Sequence, residues 1–156
     1  RYPKDCEDMG PGIQSHGEMA IGKGELLSTG EVMIFAVGHM VQNAMLAVIE
    51  LMGKGISAGV VDARFVKPLD EKLLTEQARR AKLVVTVEEN SVVGGFGEGV
   101  MHLLNEKNIS TDCMLLGVPD RFIAHGTIEE QMIECGLDAY GIARSIMKRL
   151  RERNAK

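Results

Sequence analysis

Cysteine is scarce in this chain, tryptophan is absent, and neither a net positive charge nor a long apolar run is present. Each absence removes a class of protein. The three cysteines, Cys6, Cys113 and Cys135, are odd in number, far apart and without a C-x-x-C pair. They suggest neither a disulfide framework nor a zinc site, and a reducing cytoplasm suits them best. With 18 Lys and Arg against 22 Asp and Glu, a formal net charge of -4 leaves no global attraction for nucleic acid or anionic lipid. No stretch approaches the roughly 20 apolar residues of a membrane span, and no signal-peptide h-region opens the chain. The four histidines, His16, His39, His102 and His125, show neither H-x-x-x-H nor H-E-x-x-H spacing, so no metal site is expected. No serine sits in a G-x-S-x-G elbow and no cysteine has a nearby histidine, so no catalytic nucleophile is expected either.

What is present describes a soluble α/β protein with many tight turns. The 156 residues are 45% hydrophobic and 26% charged, include 18 glycines and only 4% aromatics, and suffice for one domain with a hydrophobic core. Residues 1–18, "RYPKDCEDMGPGIQSHGE", are polar, rich in Gly and Pro and without a sustained period; they read as an incoming linker or arm, with the domain proper over 19–156. The first residue is Arg1 and not Met, which suggests a piece of a longer protein.

From Val32 the chain alternates. "VMIFAVG" is a continuous apolar run, the mark of a strand buried on both faces and hence of a parallel sheet. "HMVQNAMLAVIELM" follows with Val41, Met45, Val48 and Leu51 or Met52 at helical spacing, and Gly53 and Gly55 stop it. Strands are then expected in "ISAGVVDARF", "KLVVTVEEN" and "CMLLGV". Helices are expected in "EKLLTEQARRA", capped by Asp70 after the Pro68 boundary, and in "GEGVMHLLNEK". Two more close the chain, "GTIEEQMIECG" with Thr127 and Glu130 as a capping box, and "LDAYGIARSIMKRLRER". Strands alternating with helices imply a three-layer α/β/α sandwich on a mostly parallel sheet. The basic run "KRLRERNAK" reads as a solvated last helical turn, and the ten methionines as gap-filling at helical core positions.

In such folds ligands bind beyond the carboxyl ends of the strands, which is where "EENSVVGGFGEG" falls. Its glycines, Gly95, Gly97 and Gly99, are spaced G-x-G-x-G, not the G-x-G-x-x-G of dinucleotide sites, and no P-loop pattern occurs. Glu88 and Glu89 stand just before the loop and would repel a pyrophosphate. The glycines are therefore read as serving a sharp strand-to-helix turn and close packing against neighbouring polypeptide. Adjacent strand residues face opposite ways, so Glu88 and Glu89 are poorly placed to share a proton; turn hydrogen bonding or a salt bridge is the expected use. His39, just after a strand end, is read as a helix N-terminal cap, with a ring presented at the ligand edge as the alternative.

Three phrases carry a resemblance. "ARFVKPLD" (63–70), "TVEENSVVGGFGEGV" (86–100) and "LGVPDRFIAHGTIEEQ" (116–131) resemble the C-terminal domain of the 1-deoxy-D-xylulose-5-phosphate synthase family. The opening "RYPK" and "AIGKGELLSTGEVMIFAVGHMV" are similar to that family's passage from its pyrimidine-binding domain into the last domain. The R-x-x-x-P-L-D part (Arg64, Pro68, Leu69, Asp70) is shared more loosely by transketolase and two-oxoacid dehydrogenase relatives. The resemblance implies a transketolase-type transferase that condenses pyruvate with glyceraldehyde 3-phosphate, loses carbon dioxide and feeds isoprenoid, thiamine and pyridoxal biosynthesis. It implies thiamine diphosphate and magnesium held by two preceding domains, a cytoplasmic homodimer, and a last domain that is architectural. That domain alone is expected to be inactive, to bind no cofactor or metal, and to expose apolar surface where sister domains pack.

One substrate contact is also implied. The family pattern R-Y-P-R-G offers a basic side chain to the substrate phosphate; here Lys4 takes the second basic position, with Arg1 a lesser candidate and Asp5 in place of the glycine. Lysine keeps the charge and loses the bidentate fork, and an ordinary linker cation is the alternative. Two further alternatives stand for the whole chain: the equivalent domain of another transketolase or two-oxoacid dehydrogenase relative, and a free-standing flavodoxin-like ligand-binding module.

Overall fold

A computed structural model of the chain describes residues 19–155. The elements are β1 (Glu25–Leu26), β2 (Val32–Ala36), α1 (Met40–Met52), β3 (Ala58–Asp62), α2 (Glu71–Arg80), β4 (Leu83–Ser91), α3 (Phe96–Glu106), β5 (Asp112–Val118), α4 (Ile128–Cys135) and α5 (Ala139–Asn154). The sheet order is β1-β3-β2-β4-β5, with β1 antiparallel to β3 and all other neighbours parallel. The expected α/β/α sandwich is what forms, with the short β1 as an unanticipated fifth strand.

The two faces divide by strand alternation. Ile34, Val60 and Val85 point to one side and pack with Val41, Ala44, Val48 and Leu51 of α1, with Leu137 just ahead of α5 and with Ile142 and Ile146 of α5. Met33, Phe35, Val61 and Val84 point to the other and pack with Leu74 and Ala78 of α2 and Phe96, Val100 and Leu103 of α3. Burial on both faces is why these strands read as unbroken apolar runs. Each buried Val, Leu, Ile, Phe or Met side chain among them contributes roughly 1.5–3 kcal/mol on leaving water. Not every methionine fills a helical gap: Met33 and Met114 lie on strands, and Met19, Met52 and Met101 are exposed.

Helix ends follow the local chemistry. Asp70 Oδ1 accepts from Leu73 N–H at 3.1 Å at the start of α2. At α4 the capping box is complete: Thr127 Oγ1 accepts from Glu130 N–H at 3.2 Å and Glu130 Oε2 from Thr127 N–H at 2.8 Å. The described basic residues of the C-terminal run are exposed, yet two of its arginines are tied back. Arg149 grips the Asp112 carboxylate of β5 at 2.5 and 3.2 Å, and Arg153 donates to the Lys82 carbonyl.

The β3–α2 turn holds the entering chain. Arg64 takes φ +55°, unusual for a side-chain-bearing residue, with its N–H on Asp62 Oδ1 at 2.9 Å and its guanidinium on Glu25 of β1. Asp70 accepts from Gly24 N–H at 3.3 Å, and a Cβ on Gly22 would lie 2.7 Å from Pro68 Cγ. The R-x-x-x-P-L-D segment is thus a clamp on residues 22–25, which fixes β1 against β3.

Candidate functional site at the carboxyl edge of the sheet

The order β3-β2-β4 places the switch point of this sheet between β2 and β4. From β2 the chain leaves through α1 on one face, and from β4 through α3 on the other. Diverging turns open a crevice at such a point. A cleft of about 450 Å³ lies there, walled by Val37, Gly38 and His39 after β2, by Glu88 to Asn90 and Gly94 to Phe96 around the β4–α3 turn, and by Val66.

Glu88 sets its chemistry. The side chain is only 2% exposed, and both carboxylate oxygens are used: Oε2 accepts from Phe96 N–H at 2.8 Å and Oε1 from Gly97 N–H at 2.9 Å. A carboxylate suits a helix N-terminus because the first N–H groups have no intrahelical partner and the helix dipole is positive there. The two neighbouring amides are also satisfied within the turn, Gly94 N–H by Glu98 Oε2 at 2.9 Å and Gly95 N–H by the Val92 carbonyl at 3.4 Å. Four successive donors that could cradle a phosphate are therefore committed, two of them to one buried anion.

The glycines follow from this arrangement. Gly94 has φ +73°, the left-handed conformation that makes the turn. A Cβ on Gly95 would overlap the Glu88 carboxylate, and one on Gly97 would sit 2.5 Å from Thr86 Oγ1 and 2.8 Å from Leu115 Cγ. A Cβ on Gly99 would meet nothing within 4 Å. The sharp turn is as expected; the close approach is made to β4 and β5 of the same chain.

Glu88 and Glu89 diverge as strand neighbours should. Glu89 turns to the cleft and its Oε2 lies 3.3 Å from His39 Nδ1. His39 occupies the position before α1 but its side chain makes no capping hydrogen bond. The capping role expected of it is therefore corrected: its ring sits at the ligand edge, held by a carboxylate 50 residues away in sequence. Asn90 and Val66 also line the cleft; both lie within the phrases that carry the family resemblance, but only the topological rule points to them as a site.

Elsewhere the titratable groups are structural. Burial pushes the Asp62 carboxyl up, against the opposing pull of Arg64. Burial likewise raises the Cys113 and Cys135 thiols, opposite to what an activated nucleophile requires. Among the described residues no three His, Cys, Asp or Glu side chains come together as a metal site. The described residues do not fit thiamine diphosphate or magnesium: among them no lysine or arginine lines the cleft, no metal-ligating cluster forms, and the helix N-terminus is already neutralised by Glu88. Lys4 and Arg1 lie outside the described residues.

The profile of the family "Transketolase, C-terminal domain" matches residues 22–142. The 1-deoxy-D-xylulose-5-phosphate synthase of Caldanaerobacter subterraneus subsp. tengcongensis is 45% identical over 133 residues, covering 85% of this chain and 21% of that protein. The enzyme of the same name from Synechococcus sp. (strain JA-2-3B'a(2-13)) is 42% identical over 159 residues, covering 100% of this chain and 24% of its own length. A solved structure titled "Split gene transketolase, inactive beta4 tetramer" superposes with a TM-score of 0.78 at 37% identity, covering 83% of this chain and 43% of that one. The chain thus spans between a fifth and a quarter of the length of these curated relatives.

Proposed function

Since this chain belongs to the transketolase C-terminal domain family, we propose that it forms the last domain of a 1-deoxy-D-xylulose-5-phosphate synthase. The observation that carries the reading is the 42% identity to such a synthase across the whole chain. The full enzyme would be a transferase joining pyruvate to glyceraldehyde 3-phosphate with loss of carbon dioxide, at the head of isoprenoid, thiamine and pyridoxal precursor synthesis. Thiamine diphosphate with magnesium would supply the carbanion chemistry from domains ahead of this one.

Within that enzyme, residues 19–156 act as a supporting lobe and 1–18 as the arm that joins them to the preceding domain. The partners are those preceding domains and a second copy of the whole chain, in the cytoplasm. The exposed Leu46, Ile49 and Met52 on α1 support such packing, since a helix face with three apolar side chains in solvent gains by being covered. Lys4, with Arg1 as the lesser candidate, would place a cation on the phosphate of the aldehyde substrate.

Two measurements test this. The full-length parent, with thiamine diphosphate and magnesium, should form 1-deoxyxylulose 5-phosphate from the two substrates, while residues 1–156 alone should form none. Turnover by the 156-residue chain, or a parent that uses a different acceptor, contradicts the reading; the second outcome would favour a transketolase or two-oxoacid dehydrogenase relative. In the parent, Lys4→Ala should raise KM for glyceraldehyde 3-phosphate by roughly tenfold, the loss of one charge-assisted contact, with KM for pyruvate unchanged. An unchanged KM returns Lys4 to the linker. A flavodoxin-like module is disfavoured by the filled helix N-terminus, because its anion position is already taken by Glu88.

A further inference from the structure

The segment that enters the domain is apolar and exposed, and directly after that stretch it is clamped. Met19 and Ile21 stand in solvent, Ile21 at 81% exposure, as does Val66 of the β3–α2 turn. The next four positions are all tied to that turn. Gly22 packs against Pro68, where a Cβ would lie 2.7 Å from Cγ; Lys23 Nζ lies 3.5 Å from Asp70 Oδ1; Gly24 N–H donates to Asp70 Oδ2 at 3.3 Å; and Glu25 accepts from Arg64. Asp70 is itself buried and also caps α2, so the anchor belongs to the body of the domain. Ile21 and Val66 each lie within two residues of the Gly22–Pro68 contact, which sets them on one corner, with the exposed Leu26 of β1 at its margin.

On the reading that the chain is the last domain of a longer enzyme, we propose that this corner, formed by Met19, Ile21 and Val66, is the surface on which the domain ahead of residues 1–18 packs. A connection between domains that move independently is polar and free to pivot. Here it is apolar and pinned at four successive residues, so Ile21 is held outward and gains only from what lies over it. The tether selects the occupant. Eighteen residues span at most about 60 Å, which keeps whatever precedes them at high effective concentration beside Met19, an advantage that a second copy or a separate protein lacks. The contact surface that fits is apolar at its centre, with a carboxylate beside the exposed Lys67. The stripe of Leu46, Ile49 and Met52 is a different surface, since α1 packs on the opposite face of the sheet from α2.

The test is the rate at which hydrogen peroxide oxidises Met19, followed by peptide mass spectrometry in the 156-residue chain and in the full-length parent, each normalised to the same protein in guanidinium. Maleimide labelling of Ile21→Cys and Val66→Cys gives a second reading. All three positions should react freely in the 156-residue chain and at least roughly tenfold slower in the parent, at every protein concentration. Equal rates in the two proteins overturn the proposal. Protection already present in the 156-residue chain assigns the corner to residues 1–18, and protection lost on dilution of the parent assigns it to a second copy; either overturns it. Activity is scored separately. A parent that protects the corner but forms no 1-deoxyxylulose 5-phosphate refutes the reaction and leaves the surface standing, whereas an active parent with an open corner refutes the surface alone.

Discussion

Two helices that follow strands at the same edge of the sheet are held in opposite ways. The N-terminus of α3 is pinned by Glu88, a buried carboxylate reaching back from β4, and its first turn packs so closely on β4 and β5 that Gly97 can carry no side chain. The N-terminus of α4 is pinned by its own Thr127 and Glu130, and none of its residues is buried. Phe122, in the loop before α4, is fully exposed, although Arg121 bonds Glu134 at 2.7 Å and Gln131 bonds the Ala124 carbonyl at 3.0 Å. One helix is built into the core through a long-range anion; the other is a locally capped element laid on the surface. A helix cap can therefore be either a property of a few neighbouring residues or a property of the whole fold.

Removing the long-range cap should cost most. Glu88→Ala leaves two buried amides without acceptors and should destabilise the chain by about 2–6 kcal/mol in urea unfolding, each unsatisfied group contributing roughly 1–3 kcal/mol. A loss below about 1 kcal/mol would erase the distinction between the two helices. The glycines divide next. Gly97→Ala should cost about 1–3 kcal/mol by overpacking on Thr86 and Leu115. Gly99→Ala, two residues on in the same helix and facing open space, should stabilise by up to about 1 kcal/mol. Equal effects at both positions would break the account of the turn.

The local cap comes third. Thr127→Ala should cost about 1 kcal/mol and should raise amide exchange in α4 without affecting α3. Smallest is the pH effect at β5. The Arg149 hydrogen bond holds the Asp112 carboxyl below its usual range. Its contribution is therefore present above the ordinary carboxylate pKa of about 3.9 and is lost as pH falls from there through the lower folded value. With Arg149 44% exposed and solvent screening the pair, Asp112→Asn should remove about 0.5 kcal/mol at neutral pH and nothing once the acid is protonated.

What could be read from the residues tracks the same division. The Thr127 box and the Asp70 cap were legible because donor and acceptor lie within three residues of each other. The parallel sheet was legible because "VMIFA" and "LVVTV" are apolar without alternation, as two-sided burial demands. β1 was not, since two residues have no period and its partner Asp62 lies 37 positions on. His39 was misassigned for a like reason: its partner Glu89 is brought beside it only by the β2–β4 pairing. The spacing of the glycines and the acids of the β4–α3 turn argued against a nucleotide, but Glu88 as the resident anion required α3 to fold back over β4. Nor could the thin packing of α4 be seen: Met132 and Cys135 reach the core while Ile128 and Ile133 stay in solvent, though all four present helical spacing.

The claim on which the rest depends is that the N-terminus of α3 is filled from within by Glu88 and holds no nucleotide or diphosphate. Titration of the ¹⁵N-labelled chain with ATP and with inorganic pyrophosphate addresses it directly. The Phe96 and Gly97 amides should stay unmoved to millimolar ligand in the native chain, because Glu88 already occupies them. Saturable shifts of those two amides at micromolar ligand would contradict the account and make the chain a nucleotide-binding module.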